Sequence, residues 1–327
     1  MFYTVYHNTA VLGILFSFLR LSDGSLPVQS FRLLHDPAET IENRLLMLYT
    51  VCVDGSLVFA IKWDSVPEST DTRFPLIIQF VKEKKMKLYF VGTSHGVPES
   101  DRRCSSCIVE VNASYYLFDM GTQVIEDLRK RSIAVESVRL AICSHPHGDH
   151  TDGLISFVDL VNWYFKAADP LILLPDERLI PPLRAWISAT MEGKPLREDL
   201  RIDTFREGAA YADENLRVTA IRTKHCENAY AFLIESEGKK VLLTGDLCRP
   251  SVDFPQIAFD MDLDLLVCEA AHFSPDDCIP FFDKTKAKRI LHTHIYDKRW
   301  AEALSRQLAA PHPYRYGAAF DGMEVTV

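Results

Sequence analysis

The chain lacks any run long enough to cross a membrane: no segment approaches the roughly 18 consecutive apolar residues that a span needs. Ala10 to Leu19 has the length of a secretion signal's apolar region, but nothing before it is basic and no small-residue cleavage site follows cleanly, so export is not expected. Positive charge is also in short supply. Thirty-six Lys and Arg stand against 45 Asp and Glu, a net charge of −9, which removes any global pull toward nucleic acid or anionic membrane and leaves room only for a local basic groove. Eight cysteines in 327 residues do not make a disulfide framework, and Cys143, Cys226 and Cys248 sit beside candidate metal ligands, where oxidation would be a hazard; a reducing cytoplasm is the expected compartment. The one C-x-x-C, Cys104 to Cys107, has no second pair to complete a structural zinc site, so its default is two buried or loop thiols. No serine or cysteine nucleophile stands in a triad arrangement.

What is present divides at residue 85. Apolar content of 47% is enough for a sizeable core, and the length admits one large domain or two smaller ones. Residues 1–85 carry no ligand cluster, no glycine-rich loop and no repeat, and their apolar residues keep no sustained period of 2 or 3.6. From Met86 onward the pattern is crisp, which sets the expected boundary between an N-terminal extension, 1–85, and a main domain, 86–327. Lys82-Glu83-Lys84-Lys85-Met86 can be written AAG GAG AAA AAA ATG, a bacterial ribosome-binding sequence, a spacer and a start codon. The expectation is that Met86 is the native start; the alternative is a small accessory or oligomerisation domain. Intact mass from the native host decides, and a species beginning at residue 1 refutes the first reading.

The main domain is a series of short apolar strands that end in polar groups. Lys87 to Val91 reads as a first strand, leading into the loop Gly92-Thr93-Ser94-His95-Gly96-Val97-Pro98. Ile108 to Val111 and Ser114 to Phe118 read as a hairpin whose second strand ends at Asp119, placed to orient a metal-bound histidine. Val124 to Arg131 reads as a helix, and Val138 to Cys143 as the strand that feeds Ser144-His145-Pro146-His147-Gly148-Asp149-His150. That loop packs three imidazoles and a carboxylate, the usual N and O donors for zinc and its neighbours, into seven residues. Leu154, Phe157, Val158, Val161 and Phe165 are spaced for an amphipathic helix, and Leu179 to Met191 is helical from Pro182 on. Further strands run from Leu216 into Thr223-Lys224-His225, through a hairpin at Glu237-Gly238 into Thr244-Gly245-Asp246, from Leu263 into Glu269-Ala270-Ala271-His272, and from Ala287 into His292-Thr293-His294. A sheet scaffold presents a site at one edge in this way.

The ordered set Asp119, His145-x-His147-x-Asp149-His150, His225, Asp246 and His294 resembles the metallo-β-lactamase-fold hydrolases over essentially Met86 to Val327. The resemblance implies an α/β fold, a four-layered αβ/βα sandwich, with two divalent metal ions at the sheet edge, zinc first and manganese or iron as alternatives. It implies one metal on His145, His147 and His225, a second on Asp149, His150 and His294, and Asp246 bridging; His292 competes with His294 for the last position. Two such metals share a water or hydroxide and lower its pKa to give a nucleophile at neutral pH, while polarising the substrate oxygen. Asp149 would also hold the nucleophile's proton.

The opening Phe90 to Pro98, Arg102 to Ser106 and Leu117 to Gly121 look like ribonuclease Z and related cyclic-nucleotide phosphodiesterases, and the closing Phe320-Asp321-Gly322-Met323 like the small phosphodiesterase branch. Asp246 stands where true β-lactamases usually carry cysteine. No glycine-proline-rich arm lies between Asp152 and His225, and the histidine-serine-threonine motif of ribonuclease Z is missing before His292, so tRNA is not an expected substrate. His272 is a candidate to protonate a leaving group, or a structural histidine. Lys298 and Arg299 are candidates for phosphate, or face solvent on a helix. The expected function is a dinuclear phosphodiesterase on a small or nucleotide-like diester, with no membrane partner and a homodimer left open. A thioester or lactone hydrolase with the same ligands is the alternative, and a metal-stabilised binding protein the third reading.

Overall fold

The computed structural model describes residues 86–327 continuously and, before them, residues 2–4, 14–19, 28–33, 44–53, 56–65 and 77–81. The chain divides into two units, Met1–Lys84 and Lys85–Val327. In the first, strands β1 (Phe2–Thr4), β2 (Ile14–Leu19), β3 (Val28–Leu33), β4 (Arg44–Val53), β5 (Ser56–Ser65) and β6 (Ile77–Val81) form one sheet in the order β2-β3-β1-β4-β5-β6. Its longest pairing is β4 against β5, antiparallel over ten residues each. The run in β4 is apolar without alternation, which is why a period-2 reading passes over it.

The second unit is built on two seven-stranded sheets. The first contains β7 (Lys87–Gly92), β8 (Ser106–Val111), β9 (Ser114–Met120), β10 (Val138–Ile142), β11 (Leu171–Leu174), β12 (Ile202–Thr204) and the last strand of the chain, β20 (Glu324–Thr326), in the order β12-β11-β10-β9-β8-β7-β20. The second runs β13 (Gly208–Ala212), β14 (Arg217–Arg222), β15 (Tyr230–Ser236), β16 (Lys239–Leu243), β17 (Leu265–Ala270), β18 (Arg289–Ile295) and β19 (Arg315–Ala318) in sequence order. Alternate residues of each strand enter different layers, as the two-residue side-chain period requires. Leu88 and Phe90 of β7 pack with Phe232, Val241 and Val267 between the sheets, whereas Tyr89 and Val91 pack outward.

The outer faces are covered by helices. Helices α1 (Val124–Lys130), α2 (Gly148–Trp163) and α3 (Ile180–Thr190) lie on the first sheet; Val124, Leu128, Phe157, Val161 and Ile187 meet Leu117, Ala141 and Ile172 there. On the second sheet Phe254 of the segment after α4 (Pro250–Asp253), Ala258 of α5 (Ile257–Asp260) and Cys278 and Phe282 of α6 (Pro275–Phe282) pack on Leu233, Leu266 and Cys268. Helix α7 (Asp297–Ala309) follows β18 and packs Leu304 against Ala270 and Ile295. The layers are therefore helix, sheet, sheet, helix: a four-layered αβ/βα sandwich. Among the described residues no helix is long and apolar enough to cross a membrane.

The structure differs from the sequence expectation in detail. Helix α2 starts at Gly148, inside the histidine loop, and stops at Trp163, before Phe165. Helix α3 starts at Ile180, because Pro181 and Pro182 occupy its first turn, where no intrahelical N–H is needed. Strands β13 and β19 have no clear alternation, and α6 and α7 were not anticipated as full helices.

Candidate metal centre

Strands β9 to β12 are parallel, and so are β16 to β19; β14 runs the same way as β16 because both pair antiparallel with β15. The carboxyl ends of β9, β10, β14, β16, β17 and β18 therefore come out at one edge, carrying Asp119, the 144–150 loop, His225, Asp246, Glu269 with His272, and His294. Neighbouring loops from remote parts of the chain are locked together by glycines. A Cβ on Gly121 would stand 1.8 Å from the Asp149 carbonyl oxygen, and one on Gly153 would stand 1.9 Å from that of Thr122, so the first turns of α2 pack directly on the turn after β9.

Three groups of donors form among the described residues, the third being Asp246, Glu269, His272 and His294. His145 Nε2 and His225 Nε2 each lie 3.0 Å from His147 Nδ1, with His145 fully buried. Asp149, His150, Asp246 and His294 make the second group, with ligand atoms all within 4.8 Å of one another. Asp246 also approaches the first group: its Oδ2 is 3.6 Å from His145 Nε2, 3.6 Å from His225 Nε2 and 3.4 Å from His294 Nε2, and its Oδ1 is 3.4 Å from His150 Nε2. All seven predicted ligands thus meet. His292 does not join them. It is fully buried against Phe282 and Tyr316, with Nδ1 near the Glu269 and Cys268 carbonyls, and burial pushes its pKa down to about 4.

The outer ring nitrogens of His145, His150 and His294 are held by other side chains. Asp119 Oδ2 is 2.8 Å from His150 Nδ1, and its Oδ1 accepts the Ser144 N–H at 2.6 Å. Ser144 Oγ donates to Asp119 and lies 3.0 Å from His145 Nδ1; Ser105 Oγ lies 2.8 Å from His294 Nδ1. Such partners fix the ring orientation and tautomer of ligating histidines. Asp119 and His294 both sit at positive φ, 57° and 50°, a region that non-glycine residues enter at a cost and that clusters at functional sites. Neither serine carries a sequence signal beyond its place beside a ligand strand, and the backbone conformation leaves no trace in residue type.

The electrostatics ask for positive charge. Burial opposes ionisation of Asp246, but His294 and His150 outweigh it and hold the carboxyl well below its usual range. Asp149 is likewise held down to about 2 by His150 and His294 against burial. Burial favours neutral His150, yet Asp246, Asp119 and Asp149 together push its pKa well up; burial keeps His145 neutral, down to about 2. His150 Nε2 and Asp246 Oδ1 are buried without hydrogen bonds although they face each other, a pair of orphaned polar atoms that a cation between them would satisfy. The donor set, all imidazole and carboxylate, suits zinc and similar divalent ions.

A cleft of about 350 Å³ opens over these groups, lined in part by His95, His272, Tyr296 and Arg299. His272 Nδ1 is 2.7 Å from Glu269 Oε2, and that contact raises its pKa to about 9 against burial. Glu269 is almost fully buried. Its other oxygen accepts the Leu247 N–H at 2.6 Å, so one carboxylate ties the residue after Asp246 to His272. Lys298 pairs with Glu99 at 2.8 Å, whereas Arg299 is on the cleft wall. Cys104 is buried and Cys107 lies in β8; both are free thiols outside the metal-competent clusters of the described residues.

Ribonuclease Z of Exiguobacterium sp. is 26% identical over 166 residues, 50% of this chain and 54% of the relative. The chain spans about half the length of the curated relatives it matches. In structure it is similar to the Bacillus subtilis metallo-β-lactamase fold protein YhfI (TM-score 0.61, 18% identity, 75% of this chain and all of that one). It is also similar to the short form of human tRNase Z (0.57, 20%, 73% and 98%) and to a diphosphatase of the PhnP family (0.55, 17%, 73% and 97%). At these identities the likeness concerns the fold, which is the metallo-β-lactamase fold. A family model described as "Anti-Pycsar protein Apyc1" matches residues 86–267.

Proposed function

Because the chain belongs to the Anti-Pycsar protein Apyc1 family, we propose that it is a dinuclear metal-dependent phosphodiesterase acting on a small or nucleotide-like phosphodiester, and that it shares the anti-Pycsar role by which the family is described. One observation supports the reading: Asp246 approaches both His145 and His225, which group with His147, and His150 and His294, which group with Asp149. Zinc is the first choice for both positions, with manganese or iron as alternatives. Bound there, divalent cations supply a water of lowered pKa and polarise a phosphoryl oxygen.

The chain's own residues do the rest. Asp149, at the mouth of the cleft, is placed to take a proton from the attacking water as well as to hold metal. Asp119, Ser144 and Ser105 keep the rings of His150, His145 and His294 aimed inward, so that the charge developing on the phosphoryl oxygens meets a site already organised. His272 acts as general acid. Glu269 takes its Nδ1 proton in a hydrogen bond and leaves Nε2 to deliver a proton to the departing oxygen. The neighbours named diphosphatase, ribonuclease Z and tRNase Z act on phosphate linkages by name, which favours a phosphodiester over the thioester or lactone alternative. A small diester rather than tRNA is favoured by the missing arm between Asp152 and His225, where the structure has only α2, α3 and short strands.

The test is a substrate panel on the zinc- or manganese-loaded protein: bis(p-nitrophenyl) phosphate and cyclic or linear dinucleotide diesters against thioesters and lactones. Turnover of diesters with bound metal is the expected result. Turnover of esters alone refutes the proposal.

A further inference from the structure

Of the basic side chains on the segment 102–103 and at the start of α7, three are already neutralised. Arg102 donates to Asp297 at 2.8 Å and to Thr93 and the Ala319 carbonyl; Arg103 pairs with Asp127 and Asp321; Lys298 pairs with Glu99. Arg299 is different. It lines the cleft, and among the described residues no carboxylate lies within 4.0 Å of its guanidinium and no side-chain hydrogen bond engages it.

Nor is it loose. Its Cζ lies 4.6 Å from the centre of the Trp300 ring, a cation–π contact that limits where the guanidinium can go. Trp300 is pinned in turn, because its indole N–H donates to the Ala271 carbonyl at 3.2 Å. Ala271 precedes His272, and both line the cleft. A chain of contacts therefore runs from the cleft wall beside the general acid, through Trp300, to an unpaired planar cation. Tyr296, three residues before Arg299, completes this wall, and its ring is stacked on His95 with centroids 4.0 Å apart.

A guanidinium presents a fork of N–H donors that matches the oxygens of a phosphate, and an ordered one gives up little freedom when it binds. We propose that Arg299 is a specificity-determining residue that binds a phosphoryl oxygen of the substrate, selecting phosphate anions over neutral esters. The proposal rests on the phosphodiesterase reading for its choice of substrate. It stands separately as a statement about anion binding in the cleft.

Two measurements on the metal-loaded protein test it, with Arg299→Ala, Arg299→Lys and the control Arg306→Ala. Arg306 lies on the same helix and pairs with Asp276, so its loss removes the same charge away from the cleft. The first measurement is calorimetric titration with inorganic phosphate. Arg299→Ala should weaken binding by about tenfold or more, Arg299→Lys by less, and Arg306→Ala should leave it unchanged. The second is steady-state kinetics. For bis(p-nitrophenyl) phosphate, Arg299→Ala should raise KM by about tenfold while metal content is kept, and hydrolysis of the neutral ester p-nitrophenyl acetate should not change. Phosphate affinity equal in wild type and Arg299→Ala overturns the proposal, as does an equal loss in Arg306→Ala. If the wild type turns over no diester at all, the functional reading fails, and the phosphate titration still decides the role of Arg299.

Discussion

At Asp246 one carboxylate approaches two sets of imidazoles, and the other acid that shares a metal-competent group with it beside His272 is Glu269. Glu269 is spent on the Leu247, Ala271 and His272 donors. Asp246→Ala should therefore abolish metal occupancy and turnover together, read by elemental analysis and by diester hydrolysis; retained activity would overturn its bridging place. The residues behind the ligands should act more gently. Ser105→Ala removes the partner of His294 Nδ1 and Asp119→Asn weakens the anchor of His150, and each should cost about 10–100-fold in metal affinity, measured by competition with a chelating indicator. His272 should behave as neither kind. His272→Ala should keep its metal and lose about 10²–10⁴ in kcat, with a larger loss for an alkoxide leaving group than for p-nitrophenolate, which departs without a proton. Equal losses for the two leaving groups would make His272 structural.

At the scale of elements, the site depends on close packing between the turn after β9 and the start of α2, through Gly121 against Asp149 and Gly153 against Thr122. Gly121→Ala should destabilise the protein by about 1–3 kcal/mol or more in chemical denaturation and lower metal affinity as well, because the added methyl group displaces the Asp149 backbone. Asp253 ties two more segments. Its carboxylate accepts the backbone N–H groups of Lys224, Cys248 and Arg249, next to His225 and Asp246. The seven residues that meet at the centre were legible in the sequence because each lies at or just after the end of a strand whose apolar run is unmistakable. Their supports were less so. Ser105 and Ser144 are ordinary serines until the fold brings them under a ring, Asp253 is one acidic residue among many, and the choice between His292 and His294 needed the backbone at positive φ to turn one inward and leave the other in the core. Strands β13 and β19 were missed because edge strands half open to solvent carry little apolar pattern.

At the scale of the molecule, two sheets meet at an edge where buried carboxylates need cations, so metal should hold the fold together as well as act on substrate. Removing it with a chelator should lower the melting temperature, and restoring it to a hundred times its dissociation constant should return about 2.7 kcal/mol, seen as a concentration-dependent shift in calorimetry. A chain beginning at Met86 should show the same metal-linked shift, since Lys85–Val327 is a compact unit by itself.

The pairing of β20 with β7 has a further consequence. Thr326 lies opposite Lys87, and the Val327 N–H donates to the Met86 carbonyl at 3.0 Å, so the first and last residues of the sandwich are neighbours in one sheet. The order in which the strands are threaded is then separable from the shape they make. A circular permutant, with Val327 joined to Met86 by a few glycines and new ends opened at the exposed Glu237-Gly238 turn, should recover the same metal site from a rearranged gene.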